Sequence, residues 1–141
     1  LGVTEKTLRD HYQIRAVLEG YACVLCVETG ADLSALQNCL KVSEEMIASG
    51  DSSRYSDMNQ SFHYEIWNAS GNEKLVTMLS ELWNGLSMGV QTTEREYAKK
   101  SFAEHKKIYE AIAAKDAETA RAQMEKHIRR SLEDMLTRYR E

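Results

Sequence analysis

Asn59, His63, His105 and His127 have the types and spacing to gather around one metal ion. The chain has four histidines, and only His11 falls outside this grouping. Asn59 and His63 are four residues apart, so on an α-helix they share a face one turn apart. His105 and His127 lie 22 positions apart, with Asp116 midway. A helix hairpin that turns at Ala114-Lys115-Asp116 brings residues equidistant from the turn to the same level. The two imidazoles can then face each other, and a third helix carrying Asn59 and His63 completes a pocket of three nitrogens and one oxygen.

Imidazole suits zinc, nickel, copper and iron. Zinc is the first expectation, with nickel or another transition metal as the alternative. An amide oxygen is a weak, neutral ligand, so this set leaves the charge of a divalent ion uncancelled. Such a centre attracts an anion, most simply a carboxylate, into an open position. Structural zinc is normally closed by four strong ligands, and this set is not closed. The pattern therefore points to a ligand-presenting site. The alternative is that each histidine is merely a surface or packed helical residue.

The elements that must position these residues are read from apolar spacing of three and four, the mark of amphipathic helices. The spacing predicts six helices and no strand. The first spans about Glu5 to Thr29, with Leu8, Ile14, Val17, Leu18, Val24 and Leu25 as its apolar positions, and Gly30 ends it. Asp32 caps a second through Leu33, Leu36, Leu40 and Ile47, closed by Ser49-Gly50. A third spans about Ser53 to Ala69. A fourth starts near Glu73 and runs past Leu75, Leu79, Leu82 and Leu86 towards Thr93. Gly85 and Gly89 lie inside it, marking either a close approach or tolerated glycines. The polar stretch Thr92 to Lys100 reads as helix or loop. The fifth helix starts near Ser101, and the sixth runs from Asp116 to the end. Short breaks imply antiparallel neighbours in a single all-α bundle enclosing a metal or ligand pocket.

The chain has 141 residues, one domain's worth, and can bury about two-thirds of its unfolded surface. Hydrophobic residues make up 43%, enough for a core. The formal net charge of −4, with no basic stripe, argues against this segment gripping nucleic acid itself. No apolar run approaches the roughly 18 residues a membrane span needs. Three cysteines form no framework. Cys23 and Cys26 make a C-x-x-C that could be a redox pair or half a zinc site. It reads better as two small buried side chains one turn apart. A reducing, cytoplasmic compartment fits. The sequence opens on Leu1-Gly2-Val3, so a preceding segment is expected.

Three more residues could line the same cavity. Arg15 lies in a mostly apolar stretch and could clamp a carboxylate bidentately, or else pair with Glu19 on the surface. Ser101 precedes His105 by four and Asp134 follows His127 by seven, offsets that share a face with each histidine. The alternative for both is solvated surface. His11 has no partner at useful spacing.

Several stretches together resemble the C-terminal effector domain, called FCD, of FadR-type regulators in the GntR superfamily. Ile14-Arg15-Ala16-Val17-Leu18-Glu19-Gly20 resembles its first-helix pattern. Asn59-Gln60-Ser61-Phe62-His63 followed by Ser70-Gly71-Asn72 resembles its Asp-x-x-Phe-His…Gly-Asn motif. Glu104-His105-Lys106-Lys107-Ile108-Tyr109-Glu110-Ala111-Ile112 resembles its Glu-His-x-x-Ile-x-x-Ala-Ile motif. Lys115 to Ala120 and Met124-Glu125-Lys126-His127-Ile128 resemble the next turn and the last ligand helix. The order and spacing of these motifs span nearly the whole chain. The resemblance implies an antiparallel helical bundle that binds a divalent metal at Asn59, His63, His105 and His127. It implies a small organic acid beside the metal with Arg15 near its carboxylate, a homodimer, and a winged-helix DNA-binding domain preceding this one. One departure is Asn59, where the family usually has Asp, and its loss of charge should weaken the metal and favour anionic effectors.

The sensor reading has two rivals. A metalloenzyme could activate water at three histidines, with Asp134 as the base. The Glu-x-x-His pairs of di-iron bundles are missing, because Gln60, Phe102 and Met124 stand three before each histidine. A metal-free dimerisation module is the other.

Overall fold

The computed structural model describes residues 3–84 and 95–140, and these form six α-helices. Helix α1, Glu5–Thr29, begins at a reciprocal cap: Thr4 Oγ1 accepts the Thr7 N–H at 3.1 Å, and Thr7 Oγ1 accepts the Thr4 N–H at 3.0 Å. It ends at Gly30, whose φ of 63° is the left-handed geometry glycine adopts without strain. Helix α2 is Ser34–Ser49, α3 is Tyr55–Ala69 and α4 is Glu73–Asn84. Asn72 caps α4 by accepting the Leu75 N–H at 3.0 Å. Helix α5 is Arg95–Ala113 and α6 is Ala117–Arg140. Lys115, at φ 60°, turns the chain between them. Asp116 caps α6, accepting the Thr119 N–H at 3.1 Å, as its sequence position predicts.

Three boundaries differ from expectation. Asp32 does not cap α2; its Oδ1 takes the Ser34 N–H at 2.9 Å, two residues on, and Leu33 becomes the cap position. Asp51 makes the same local turn with Ser53, so α3 starts at Tyr55 rather than near Ser53. Both follow from the readiness of a short carboxylate to bond the backbone two residues ahead. The polar stretch from Arg95 is the start of α5, not a prelude to it. Tyr97 and Ala98 bury there against Tyr55, and this packing overrides the polar sequence. The expected continuation of α4 with Gly85, Leu86 and Gly89 lies outside the described residues.

Helices α1 and α6 run antiparallel along most of their length. Arg9 bonds Glu133 at one end, while Gly20 meets Arg121 and Glu125 further along. A Cβ on Gly20 would stand 3.0 Å from Arg121 Cγ, so glycine sets this closeness. The core-facing row of α1 is Tyr12, Ala16, Glu19, Cys23 and Cys26. Ile14 and Val17, expected in the core, are 56% and 61% exposed. They occupy the opposite face, and the polar Arg15 and Glu19 take the inward one. Phe62, Ile66 and Trp67 of α3, Leu79 of α4, Ile108 of α5 and Met124 and Ile128 of α6 complete the core. Among the described residues no helix is long and apolar enough to cross a membrane.

Candidate metal and ligand site

Three helices converge on one buried point. Helix α3 brings His63, α5 brings His105 and α6 brings His127, and all three are essentially inaccessible to solvent. One potential ligand atom from each lies within 4.8 Å of the others. The Nε2 atoms of His105 and His127 are 3.2 Å apart, and those of His127 and His63 are 3.3 Å apart. The hairpin of α5 and α6 thus sets its two histidines face to face, as their symmetry about Asp116 predicts. Two ligands bound at about 2.0–2.1 Å to a tetrahedral zinc ion stand about 3.3–3.4 Å apart, the separation these nitrogens already have.

The outer nitrogens carry the decisive information. His63 Nδ1 lies 2.5 Å from Glu19 Oε1, and His127 Nδ1 lies 2.5 Å from Glu104 Oε1. A carboxylate can only accept, so each Nδ1 must carry the hydrogen. Where both rings are neutral each Nε2 is a bare lone pair, and the Nε2 atoms of His63 and His127 lie 3.3 Å apart. A cation between them removes that repulsion. Carboxylates on the outer nitrogens are also how metal-ligating imidazoles are commonly oriented.

Burial pushes His105 well below its usual pKa, and the nearby positive charges of His127, His63, Arg130 and Arg15 add to the effect. Burial also lowers His127, to about 4, despite its bond to Glu104. Both are therefore neutral near pH 7, the form a metal requires. Burial opposes ionisation of Glu19, yet His63 and Arg15 hold its carboxyl well below the usual range. Glu104 is likewise lowered against its burial by His127 and Arg130. His105 and His127 are thus uncharged rings, and the carboxylates of Glu19 and Glu104 back the cluster.

Asn59 sits one turn before His63, and its Oδ1 is buried without a hydrogen-bond partner among the described residues. A buried acceptor left unpaired costs about 1–3 kcal/mol, so this oxygen suits a fourth ligand. Ser101 is fully buried; its Oγ accepts from the Tyr55 hydroxyl at 2.8 Å and lies 3.5 Å from His105 Nε2. Phe62 stacks on His105 with ring centres 3.9 Å apart, fixing that ring from the apolar side. Arg15 pairs with Glu19, Nε to Oε2 at 2.6 Å, but the pair is buried rather than on the surface. The Arg15 guanidinium also lies over Trp83, 4.5 Å from the ring centre. Asp134 stands apart from the histidines. It is a third exposed and held by Arg130, which also bonds Glu104 at 2.5 Å. Among the described residues it is linked to His127 through that chain, which leaves the water-activating base of the enzyme reading without a position beside the three histidines.

Sequence reasoning missed the roles of Glu19, Glu104, Tyr55 and Arg130. Glu19 has a weak signal, a carboxylate on the same face as Ala16 and Cys23 in an apolar run. The others have none without the helix packing. Cys23, Cys26 and Cys39 are buried free thiols. Burial pushes all three thiols up in pKa, in line with packing rather than redox or metal chemistry.

Fold and site together define an all-helical bundle with a buried three-histidine centre. Comparisons with known proteins make the class specific. The model of the FCD domain family matches residues 10–130. The HTH-type transcriptional regulator LutR of Bacillus subtilis (strain 168) is 32% identical over 148 residues, covering 96% of this chain and 64% of LutR. Among solved structures, E. coli McbR/YncC superposes with a TM-score of 0.83 at 24% identity, over 97% of this chain and 68% of that one. The metal-free FCD domain of TM0439, a putative transcriptional regulator, gives 0.79 at 21% identity, over 94% and 93%. These two likenesses show the shared fold. The chain belongs to the FCD domain family, and it spans 64% of the length of LutR.

Proposed function

We propose that this domain senses a small organic acid at a divalent metal and passes the signal to a DNA-binding unit of a homodimeric, cytoplasmic transcriptional regulator. His63, His105, His127 and Asn59 hold the metal, zinc first and nickel second. The metal supplies a Lewis-acidic seat for a carboxylate, with Arg15 and Ser101 nearby and Asp134 acting through Arg130. The observation that carries this reading is the pair of Nε2 atoms facing each other at 3.3 Å, each ring held at Nδ1 by a carboxylate behind it. The names of LutR and TM0439 as regulators support the regulatory role, and the family resemblance supports the dimer and the winged-helix partner domain.

Acid binding would reset the packing of helices that share the site and re-space the DNA-binding units. Coupling of this kind is worth about 1–3 kcal/mol. The TM0439 domain was obtained metal-free, so the test must include reloading. Purified protein is stripped, reloaded with zinc or nickel, and assayed by elemental mass spectrometry beside His105→Ala. About one ion per chain in the wild type, lost in the variant, is the expected result. No ion in either after reloading would refute the metal, and unchanged acetate affinity in metal-free His105→Ala would refute its part in acid binding.

A further inference from the structure

We infer that Tyr55 and Ser101 form a relay that lets His105 carry its ring hydrogen on either nitrogen, on Nε2 in the metal-free site and on Nδ1 when Nε2 is a ligand; this deepens the metal reading above and rests on it. The outer nitrogens of His63 and His127 face carboxylates, which only accept, so each of those rings keeps a hydrogen on Nδ1. His105 faces hydroxyls instead. The Tyr55 hydroxyl lies 3.5 Å from its Nδ1, Ser101 Oγ lies 3.5 Å from its Nε2, and the two oxygens are 2.8 Å apart. Both side chains are wholly buried. Tyr55 precedes His63 by eight residues on α3, and Ser101 precedes His105 by four on α5, so each shares a face with a histidine. Phe62 stacks on the His105 ring with centres 3.9 Å apart, which leaves the nitrogen edge turned to the two oxygens.

A hydroxyl both donates and accepts, so this circuit runs either way. In one direction His105 Nε2–H donates to His127 Nε2, 3.2 Å away, and Tyr55 donates to Nδ1. The first of these bonds uses the lone pair that the contact with Glu104 leaves on a neutral His127. In the other direction Nδ1–H donates to Tyr55 and Tyr55 donates to Ser101. Nε2 is then bare, the form a metal requires. Three transfers join the two states. Nε2 gives its hydrogen to Ser101, Ser101 gives its own to Tyr55, and Tyr55 gives its own to Nδ1. Each hydroxyl and the ring end with one hydrogen apiece, and none enters or leaves the site. Tyr55 is thus a positioning residue, and His105 is the one histidine of the three whose partners allow it both tautomers.

The test is NMR of the histidine ring nitrogens in metal-free and zinc-loaded protein at about pH 8, above the ordinary imidazole range. The His105 hydrogen is expected on Nε2 without zinc and on Nδ1 with it, while His63 and His127 keep theirs on Nδ1 in both. Tyr55→Phe leaves the Nδ1 hydrogen of loaded His105 buried without its acceptor. It should weaken zinc at least about tenfold in a chelator competition, with His105 still protonated on Nε2 in the metal-free form. Ser101→Ala, a smaller change that guards against a misfolded Tyr55 variant, removes the acceptor of the Tyr55 hydrogen and should weaken zinc by more than about threefold. Tyr97→Phe, at a buried phenol packed in the same cluster as Tyr55, should leave zinc affinity within about threefold of wild type. One tautomer of His105 in both states overturns the inference and leaves the metal reading standing. Zinc affinity within about threefold of wild type in both Tyr55→Phe and Ser101→Ala does the same. Wild-type protein that takes up no zinc overturns both.

Discussion

Replacing Glu19 by Gln tests the buried network most severely. The carboxylate is fully buried and accepts from three donors. Its Oε2 takes Arg15 Nε at 2.6 Å, and its Oε1 takes His63 Nδ1 at 2.5 Å and Trp67 Nε1 at 2.9 Å. Glutamine keeps the shape but offers one oxygen and one NH2. Whichever way the amide turns, either Arg15 or the His63–Trp67 pair faces a donor instead of an acceptor. Breaking a buried ion pair in this way costs about 3–5 kcal/mol. That is a large share of the roughly 5–15 kcal/mol that stabilises a domain.

With a urea slope of about 2 kcal/mol per molar, the midpoint of the metal-free protein should fall by about 1.5–2.5 M. Arg9→Ala is the control. Arg9 also bonds two carboxylates, Glu5 and Glu133, but on an exposed face. Its removal should leave the midpoint nearly unchanged, since water screens such pairs. In reloaded protein, Glu19→Gln should also weaken metal binding by about 10–100-fold, because His63 loses its orienting partner. A midpoint shift below about 0.5 M for Glu19→Gln would refute the reasoning, because a buried, triply bonded carboxylate cannot be that dispensable.

Two further outcomes follow from the same geometry. His127 has a folded pKa of about 4, below its unfolded value of about 6.5, so between these values the unfolded chain binds more protons. The metal-free protein should therefore hold this contribution fully above about pH 6.5 and lose about 3 kcal/mol as pH falls towards 4. His105 acts in the same direction, and urea midpoints level from pH 7.5 to 5 would contradict the assignment. Asn59→Asp replaces a neutral donor by an anion and should tighten zinc by about tenfold, about 1.4 kcal/mol, in a chelator competition. Acetate binding should weaken with it, and unchanged zinc affinity would place Asn59 outside the ligand set.

The helices were legible because their signals are local. Gly30 and Asp116 act on backbone groups within a few residues, and the three-and-four spacing of apolar positions states the period. The facing of His105 and His127 was legible too, because a short hairpin converts sequence symmetry about Asp116 into spatial level. Ile14 and Val17 misled because hydrophobicity alone does not say which face of α1 turns inward. That choice is settled by Arg15 and Glu19, which a scale of hydrophobicity sends to the surface. Their burial is tolerable only because each is the other's partner, and the pairing becomes unavoidable once Trp67 and His63 close over it.

The residues behind the histidines show why charge could not be reckoned from the ligand positions alone. Asn59, standing where the family usually has Asp, leaves the immediate donors neutral, which by itself predicts a weak metal. Glu19 comes from α1 to His63 on α3, and Glu104 comes from α5 to His127 on α6. They put two carboxylates one hydrogen bond further out, where they raise the basicity of the rings they orient. Each is in turn bound by an arginine, so their charge is already shared before any ion arrives. The site can therefore orient its imidazoles for a metal without saturating the metal's charge. Under the proposed metal reading that division of labour would leave the remaining charge for a ligand, and it depends on contacts between helices that no spacing within one helix encodes.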